Sequence, residues 1–289
     1  MQETGEKTAH SVGRTHVGLP PYSVLMSVYE KDRPEWVEAA IESMAAQTWP
    51  PEEILVVEDG PVPESLGNAI DACAVRHPGI IHRLPCAENK GLAEAMKYGV
   101  PRCSCEWIAR MDADDYSDPH RCEEELRLAV AQNADIVGCD CAEFEGTIEN
   151  VTALRVFPED HASLVRFSRR KTPFCHPAVM MKKSAVLKAG NYQDVYLLED
   201  YDLFVKMLAG GSKGCSLKQT LYYVRVSSDF YGRRGGIKYV KALLGFNAKL
   251  LREGWSSPVD FAVRSCGNLL LGLSPASLRR WLYRRLLRK

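Results

Sequence analysis

Five short apolar runs, separated by stretches of helical period, restrict this chain more than any other feature of its 289 residues. The first, Ser23-Val24-Leu25-Met26-Ser27-Val28-Tyr29, lacks the polar alternation of a half-exposed strand and reads as one buried on both faces. Pro34 follows at a first helical position, and Trp36, Val37, Ala40, Ile41, Met44 and Ala45 then recur at helical spacing. The pattern repeats as Ile54–Val57, a helix over Glu64–Arg76 stopped by Pro78-Gly79, Ile80–Leu84, a short helix over Gly91–Tyr98, and Trp107–Met111. Asp118-Pro119 opens another helix with Cys122, Leu126, Ala129 and Val130 on one face, before Ile136-Val137-Gly138. Such repetition predicts an α/β fold, a mostly parallel central sheet flanked by helices. Past about residue 150 the alternation weakens. Pro173–Lys182 reads as a strand, Ser184–Ala189 and Asp200–Ala209 as helices closed by glycines, and Leu221–Val226 as a strand. The expected organisation is a loose tail over 1–20, a main domain over 21–230 with halves 21–116 and 117–230, and a C-terminal region over 231–289 made of a loop and a basic amphipathic helical tail.

Lys plus Arg and Asp plus Glu both number 37, so global charge gives no support for nucleic-acid binding. The ten cysteines contain no C-x-x-C pair, which argues against a zinc ribbon. Cys139 and Cys141, like Cys103 and Cys105, read as small core residues of a reduced protein. With no signal peptide visible, the expected compartment is the cytoplasm. The apolar stretch Val259–Leu273 is interrupted by Asp260, Arg264, Gly267 and Asn268 and falls short of a bilayer-spanning helix. The six cations of residues 276–289 surround Leu278, Trp281, Leu282 and Leu286 near one helical face. A basic amphipathic helix of that kind suits an anionic membrane surface, though it could equally pack on the domain.

In open α/β sheets ligands bind beyond the carboxyl ends of the strands. Two acidic clusters stand there: Glu58-Asp59 after the second run, and Asp112-Ala113-Asp114-Asp115 after the fourth. In an extended segment Asp112 and Asp114 would project to one side. Paired carboxylates repel unless a cation lies between them, and hard oxygen ligands suit Mg²⁺ or Mn²⁺, which can hold a nucleotide diphosphate. A solvated acidic turn is the ordinary alternative, and the position at a strand end favours the ion.

The order of Glu58-Asp59-Gly60, Glu88-Asn89-Lys90-Gly91-Leu92, Asp112-Ala113-Asp114-Asp115, Cys175-His176-Pro177, Leu198-Glu199-Asp200-Tyr201-Asp202-Leu203 and Arg233-Arg234-Gly235-Gly236 resembles glycosyltransferase family 2, which has the GT-A fold. Ser43, Gln47-Thr48 and Pro51 fit the same pattern. Within the family the chain looks most like the amylovoran-biosynthesis type, which builds bacterial exopolysaccharide or O-antigen units, and the similarity runs from about Tyr22 to the C-terminus. The resemblance implies that Glu58 and Asp59 read base and ribose, that Asn89, Lys90 and Gly91 pass close to the nucleotide, and that Asp112 and Asp114 meet ribose and metal-bridged diphosphate, with Asp115 as a further metal ligand. His176 could contact the metal, the diphosphate or the acceptor, and a structural histidine is the equal alternative. It also implies Asp200 as general base, Glu199 as its orienting partner, and Arg233 and Arg234 as a phosphate-closing loop. Departures are Glu-Asp for the usual aspartate pair, Pro61 for a serine, and Ala95-Met96-Lys97 for Ala-Arg-Asn, so no arginine role carries over to that helix. The implied reaction is inverting transfer of a hexose or N-acetylhexosamine from a UDP-sugar, with Mn²⁺ or Mg²⁺, to a saccharide acceptor on undecaprenyl diphosphate, beside the inner face of the membrane. Two rivals remain at this point. A nucleotidyltransferase would need a Gly-rich loop after the first strand, where Tyr29-Glu30-Lys31-Asp32 has no glycine; a binding module without activity would not need Asp112, Asp114 and Asp200.

Overall fold

The computed structural model describes residues 18–226 and 236–274. Strand β1 (Tyr22–Val28) leads to helix α1 (Pro34–Ala45), β2 (Glu53–Glu58), α2 (Glu64–Arg76), β3 (Ile81–Pro85), α3 (Leu92–Gly99) and β4 (Trp107–Met111). Beyond these come β5 (Tyr116–Ser117), α4 (Arg121–Gln132), β6 (Ile136–Phe144), β7 (Val151–Arg155), α5 (His161–Ser168), β8 (Val179–Lys182), α6 (Lys183–Lys188), α7 (Glu199–Ala209) and β9 (Gly214–Arg225). Two helices, α8 (Ile237–Arg252) and α9 (Pro258–Leu273), complete the described chain.

One sheet has the order β3-β2-β1-β4-β8-β6-β9-β5, with β7 paired to β6. The first four strands are mutually parallel, so their carboxyl ends share one edge. At β8 the sheet turns antiparallel, and β6 and β9 run parallel beside it. The doubly apolar reading of β1 has a direct physical basis. Val24 and Met26 join a core with Ile41, Ile70 and Leu126 on one face, while Leu25 joins Met96, Val186 and Phe204 on the other. Each fully buried aliphatic side chain of this kind contributes about 1.5–3 kcal/mol relative to exposure.

Gln47 fixes α1 against α4. Its Nε2 donates to the carbonyls of Ser43 and Asp118, and its Oε1 accepts from the Cys122 N–H at 3.0 Å. Ser43 and Gln47 therefore brace the scaffold behind the acidic turn. Two expectations are corrected. Pro173–Lys182 is a strand only over Val179–Lys182, with His176–Ala178 a 3₁₀ turn, because Pro173 and Pro177 have no N–H to give a ladder. The helix after Asp118-Pro119 begins at Arg121, Asp118 instead accepting the His120 N–H at 2.9 Å in a local turn. The tail over residues 1–17 and the basic segment 276–289 lie outside the described residues.

Candidate active site

Strand β2 delivers Glu58 and Asp59, both buried, to the shared edge. Glu58 forms an ion pair with Arg83 of β3, and Arg83 reaches Asp71 as well at 2.8 Å. Asp59 accepts the N–H of Lys90 at 2.7 Å through one oxygen and that of Gly91 at 2.9 Å through the other. Gly91 stands at the N-cap of α3 with φ +89°, a conformation that glycine adopts without strain. This clamp shapes a cleft of about 420 Å³ whose walls include Asp59, Cys86, Lys90, Ala95 and Tyr98. That volume suits a nucleoside-sized ligand. Glu88 and Lys90 pair only at 3.8 Å with both side chains mostly exposed, so the Lys90 ammonium is weakly held. Gly60, at φ +86°, sits so close to the loop that a Cβ would lie 2.6 Å from the Asn89 nitrogen. Gly60→Ala is expected to cost about 1–3 kcal/mol in urea denaturation and to weaken UDP binding, because the clash shifts the Asn89–Gly91 backbone. Unchanged UDP affinity would detach this loop from the donor.

At the end of β4, residues 112–115 form a turn rather than the expected extended segment, but the in–out alternation survives: Asp112 and Asp114 are half-buried, Ala113 and Asp115 buried. Arg225 at the end of β9 holds the turn. Its backbone N–H donates to Asp115 Oδ1 at 2.7 Å and its Nε to the Asp114 carbonyl at 2.7 Å. The Asp112 N–H donates to Tyr222 Oη at 3.1 Å. Asp115 Oδ2 is buried with no hydrogen-bond partner among the described residues. Burial, reinforced by Asp114 and Asp112, pushes the Asp115 carboxyl well above the carboxylate range. Asp32, in the loop after β1, is raised to about 7 by burial and by the same two aspartates, against a lowering hydrogen bond from the Tyr29 N–H. Four carboxylates thus share one negative field.

Arg110 joins this cluster to a second one. Its side chain is buried at 1% exposure and donates to Asp112 Oδ1 at 2.5 Å and to the Met111 carbonyl. Its charge is also felt at Glu199 and at His176. Arg121, wholly buried, donates to the Arg110 carbonyl and, at 3.0 Å, to that of Pro177, which ties the His176 turn to the end of β4.

Glu199 and Asp200 occupy the first turn of α7. Leu197 just before them takes φ +56°, a strained value for leucine that sets the entry of this helix. The N-cap is Leu198, so Asp200 is not the capping residue; its Oδ1 accepts the Tyr201 N–H at 2.7 Å from inside the turn. Glu199 is raised to about 7, first by burial and then by Asp200, with Asp112 adding and Arg110 opposing. The free-energy consequence follows. A carboxyl raised above its unfolded value near 4.5 holds an extra proton in the folded state between pH 4.5 and 7, so stability declines as pH rises through that window. Glu199→Gln removes this decline. The variant should match the natural protein in thermal unfolding near pH 5 and exceed it by about 1–3 kcal/mol near pH 8; equal pH slopes for the two proteins would contradict the assignment.

His176 is buried, and its Nε2 faces Tyr192 Oη at 2.8 Å. Burial and Arg110 hold it well below the usual histidine range. The ring nitrogen so engaged, next to a guanidinium, makes His176 a partner of Tyr192. Among the described residues, no three of His, Cys, Asp and Glu gather as a ready-made cage. A cage is not required for Mg²⁺ or Mn²⁺ on a nucleotide, where one or two carboxylates share the ion with phosphates and water. Beyond burial, Asp114 and Asp112 raise both Asp115 and Asp32, and together with the Asp115 Oδ2 that lacks a partner among the described residues this marks an excess of negative charge that a divalent cation relieves. The donor set fits.

Residues 23–189 match the family model described as glycosyl transferase family 2. The chain belongs to glycosyltransferase family 2. Among its relatives, the UDP-Gal:alpha-D-GlcNAc-diphosphoundecaprenol beta-1,3-galactosyltransferase of Escherichia coli is 32% identical over 272 residues, spanning 93% of this chain and 98% of that one. The amylovoran biosynthesis glycosyltransferase AmsE of Erwinia amylovora is 34% identical over 221 residues, spanning 76% and 82%. The mannosyltransferase PcManGT from Pyrobaculum calidifontis, solved with GDP-Man and Mn²⁺, superposes with a TM-score of 0.65 at 16% identity, covering 96% of this chain and 79% of that one. S. aureus TarS 1-349 in complex with UDP-GlcNAc gives 0.61 at 13% identity, covering 80% and 66%. At those identities the likeness carries the fold alone, and the fold is GT-A. This family 2 glycosyltransferase brings together Asp59 with Lys90 and Gly91, Asp112 with Asp114 and Asp115, and Glu199 with Asp200. Arg233 and Arg234 lie outside the described residues. Sequence reading assigned nothing to Asp32, Arg110 or Arg225. Asp32 alone carried a signal, a carboxylate in a loop beyond a strand end.

Proposed function

We propose that this family 2 glycosyltransferase moves a hexose or N-acetylhexosamine from a UDP-sugar to a saccharide hydroxyl with inversion, in assembly of a bacterial surface polysaccharide. The observation that carries the reading is the convergence of two carboxylate clusters, Asp112–Asp115 and Glu199–Asp200, on the buried Arg110 guanidinium. The clamp of Asp59 on Lys90 and Gly91 positions the nucleoside cleft. Asp112 and Asp114, supported by Asp115, would hold Mn²⁺ or Mg²⁺. When bound there, such an ion neutralises the diphosphate leaving group.

Asp200 accepts the proton of the acceptor hydroxyl, whose oxygen forms the new bond to the anomeric carbon as the bond to the UDP oxygen breaks, its electron pair leaving with UDP. Glu199 orients Asp200 and the acceptor. Arg110 pairs with Asp112 and lowers the cost of placing the second acidic pair nearby. Arg233 and Arg234 would close over the phosphates. The Escherichia coli relative, a UDP-Gal:alpha-D-GlcNAc-diphosphoundecaprenol beta-1,3-galactosyltransferase, supports UDP as nucleotide and a diphosphoundecaprenol-linked saccharide as acceptor. No helix among the described residues is long and apolar enough to cross a membrane. In this reading the enzyme meets such an acceptor as a peripheral protein on the cytoplasmic face.

The test is incubation with single UDP-sugars, Mn²⁺ and GlcNAc-diphosphate-undecaprenol. UDP release coupled to a larger lipid-linked product supports transfer. Pyrophosphate release would instead mean nucleotidyl transfer, and tight binding without turnover a module that has lost activity.

A further inference from the structure

Helix α9 is inside out. Its only charged side chains, Asp260 and Arg264, point inward and are 8% exposed, whereas its outward face carries Val259, Val263, Cys266, Leu269, Leu270 and Leu273, with Val259 at 64% and Leu270 at 72% exposure. Their spacing keeps them on one side through four turns. The buried charges are committed to the fold. Asp260 closes a capping box with Ser257 and accepts from Arg170 Nε at 2.5 Å, and Arg264 donates to Tyr201 Oη at 3.0 Å. An apolar face of this length, with none of its exposed positions polar, marks a surface that meets something other than water.

Charge selects the partner. The Arg170–Asp260 bond sets the end of α5 against the start of α9, and that end exposes Arg166, Arg169 and Lys171 with no acid among residues 166–171. At its other end α9 is followed by residues 276–289, with six cations and no acid. A second copy docking here would bring like charges together, whereas an anionic lipid surface matches an apolar strip with basic flanks. We propose that the outer face of α9, with the basic end of α5, is the surface on which this enzyme lies on an anionic membrane.

The placement has a consequence for the acceptor. Tyr201, which Arg264 of α9 holds, directly follows Asp200, and Tyr201 Oη also donates to the Ser168 carbonyl at 2.7 Å. The lipid-contacting helix is thereby fastened to the turn that carries the proposed base. A saccharide on a lipid diphosphate would be presented to that turn without leaving the membrane. This deepens the acceptor reading above, but the membrane contact stands without it.

The test is flotation of the full chain with vesicles of phosphatidylcholine alone or with roughly 30% phosphatidylglycerol, alongside the double variant Val263→Glu, Leu270→Glu. Both substitutions are on exposed positions, so thermal unfolding and UDP release with a soluble acceptor should remain as in the natural protein. Binding to the anionic vesicles is expected, weakening in high salt, with at least about a tenfold loss of partitioning in the double variant. Three results overturn the proposal: equal binding to neutral vesicles, a double variant that floats like the natural protein with the basic tail intact, or a dimer of the natural protein that the substitutions split. If flotation behaves as expected while only a soluble saccharide is accepted, the membrane surface stands and the lipid-linked acceptor fails.

Discussion

Asp200→Asn is expected to bind UDP-sugar within about twofold of the natural enzyme and to lose roughly 10²–10⁴-fold in turnover. The amide oxygen can still accept the Tyr201 N–H that Asp200 Oδ1 receives at 2.7 Å, so the first turn of α7 is retained. What disappears is the capacity to take the acceptor proton. Glu199→Gln serves as the contrast. It leaves the Asp200 carboxyl in place and removes a neighbouring carboxyl that burial and Asp200 raise to about 7, so it should lower turnover less and flatten the acid side of the pH–rate profile. A variant of Asp200 that keeps its turnover, paired with a Glu199 variant that loses it, would move the base to Glu199.

Asp114→Asn should abolish the gain in UDP affinity that Mn²⁺ confers, a loss of about 10–100-fold in titration calorimetry, while its metal-free affinity stays near that of the natural protein. Asp112→Asn should add a stability defect of about 2–4 kcal/mol, because it strips the buried Arg110 of its ionic partner. The half-exposed Asp112 tempers that cost, since water can enter beside the guanidinium. The two substitutions therefore separate ion binding from the maintenance of Arg110. Equal stability of both variants would show that Arg110 is held by its other contacts.

Long, strongly patterned segments were legible. Glu64–Arg76 and Trp107–Met111 coincide with α2 and β4 because glycine and proline bound the first and uninterrupted burial marks the second. The segment 173–178 misled, since its apolar residues fill a core without joining the ladder: Phe174 is buried against Phe204 with ring centroids 5.4 Å apart. A helical C-terminal region was expected, but the bounds of α8 were not, because the glycine pair before it suggested a loop; Val240, Leu243, Phe246 and Leu250 line its buried side. The acidic positions stood out because carboxylates beyond strand ends have few structural reasons to be there. Arg110 did not, because a cation inside a strand reads as an interruption until the fold supplies Asp112 and Glu199 around it. Likewise, nothing local in the sequence says that Arg225, 110 residues from Asp115, closes the acidic turn. For His176 the sequence left a ligand and a structural role open, and its neighbours in space are Tyr192 and Arg110.

The most direct measurement is UDP affinity of the natural protein with Mn²⁺ and then with the ion removed by chelation. If the carboxylates at the end of β4 hold a divalent ion against the diphosphate, affinity falls at least about tenfold on chelation and recovers when Mn²⁺ is restored. Affinity unchanged by chelation would mean that the acidic turn meets the nucleotide without a cation, and the proposed chemistry at that edge would be wrong.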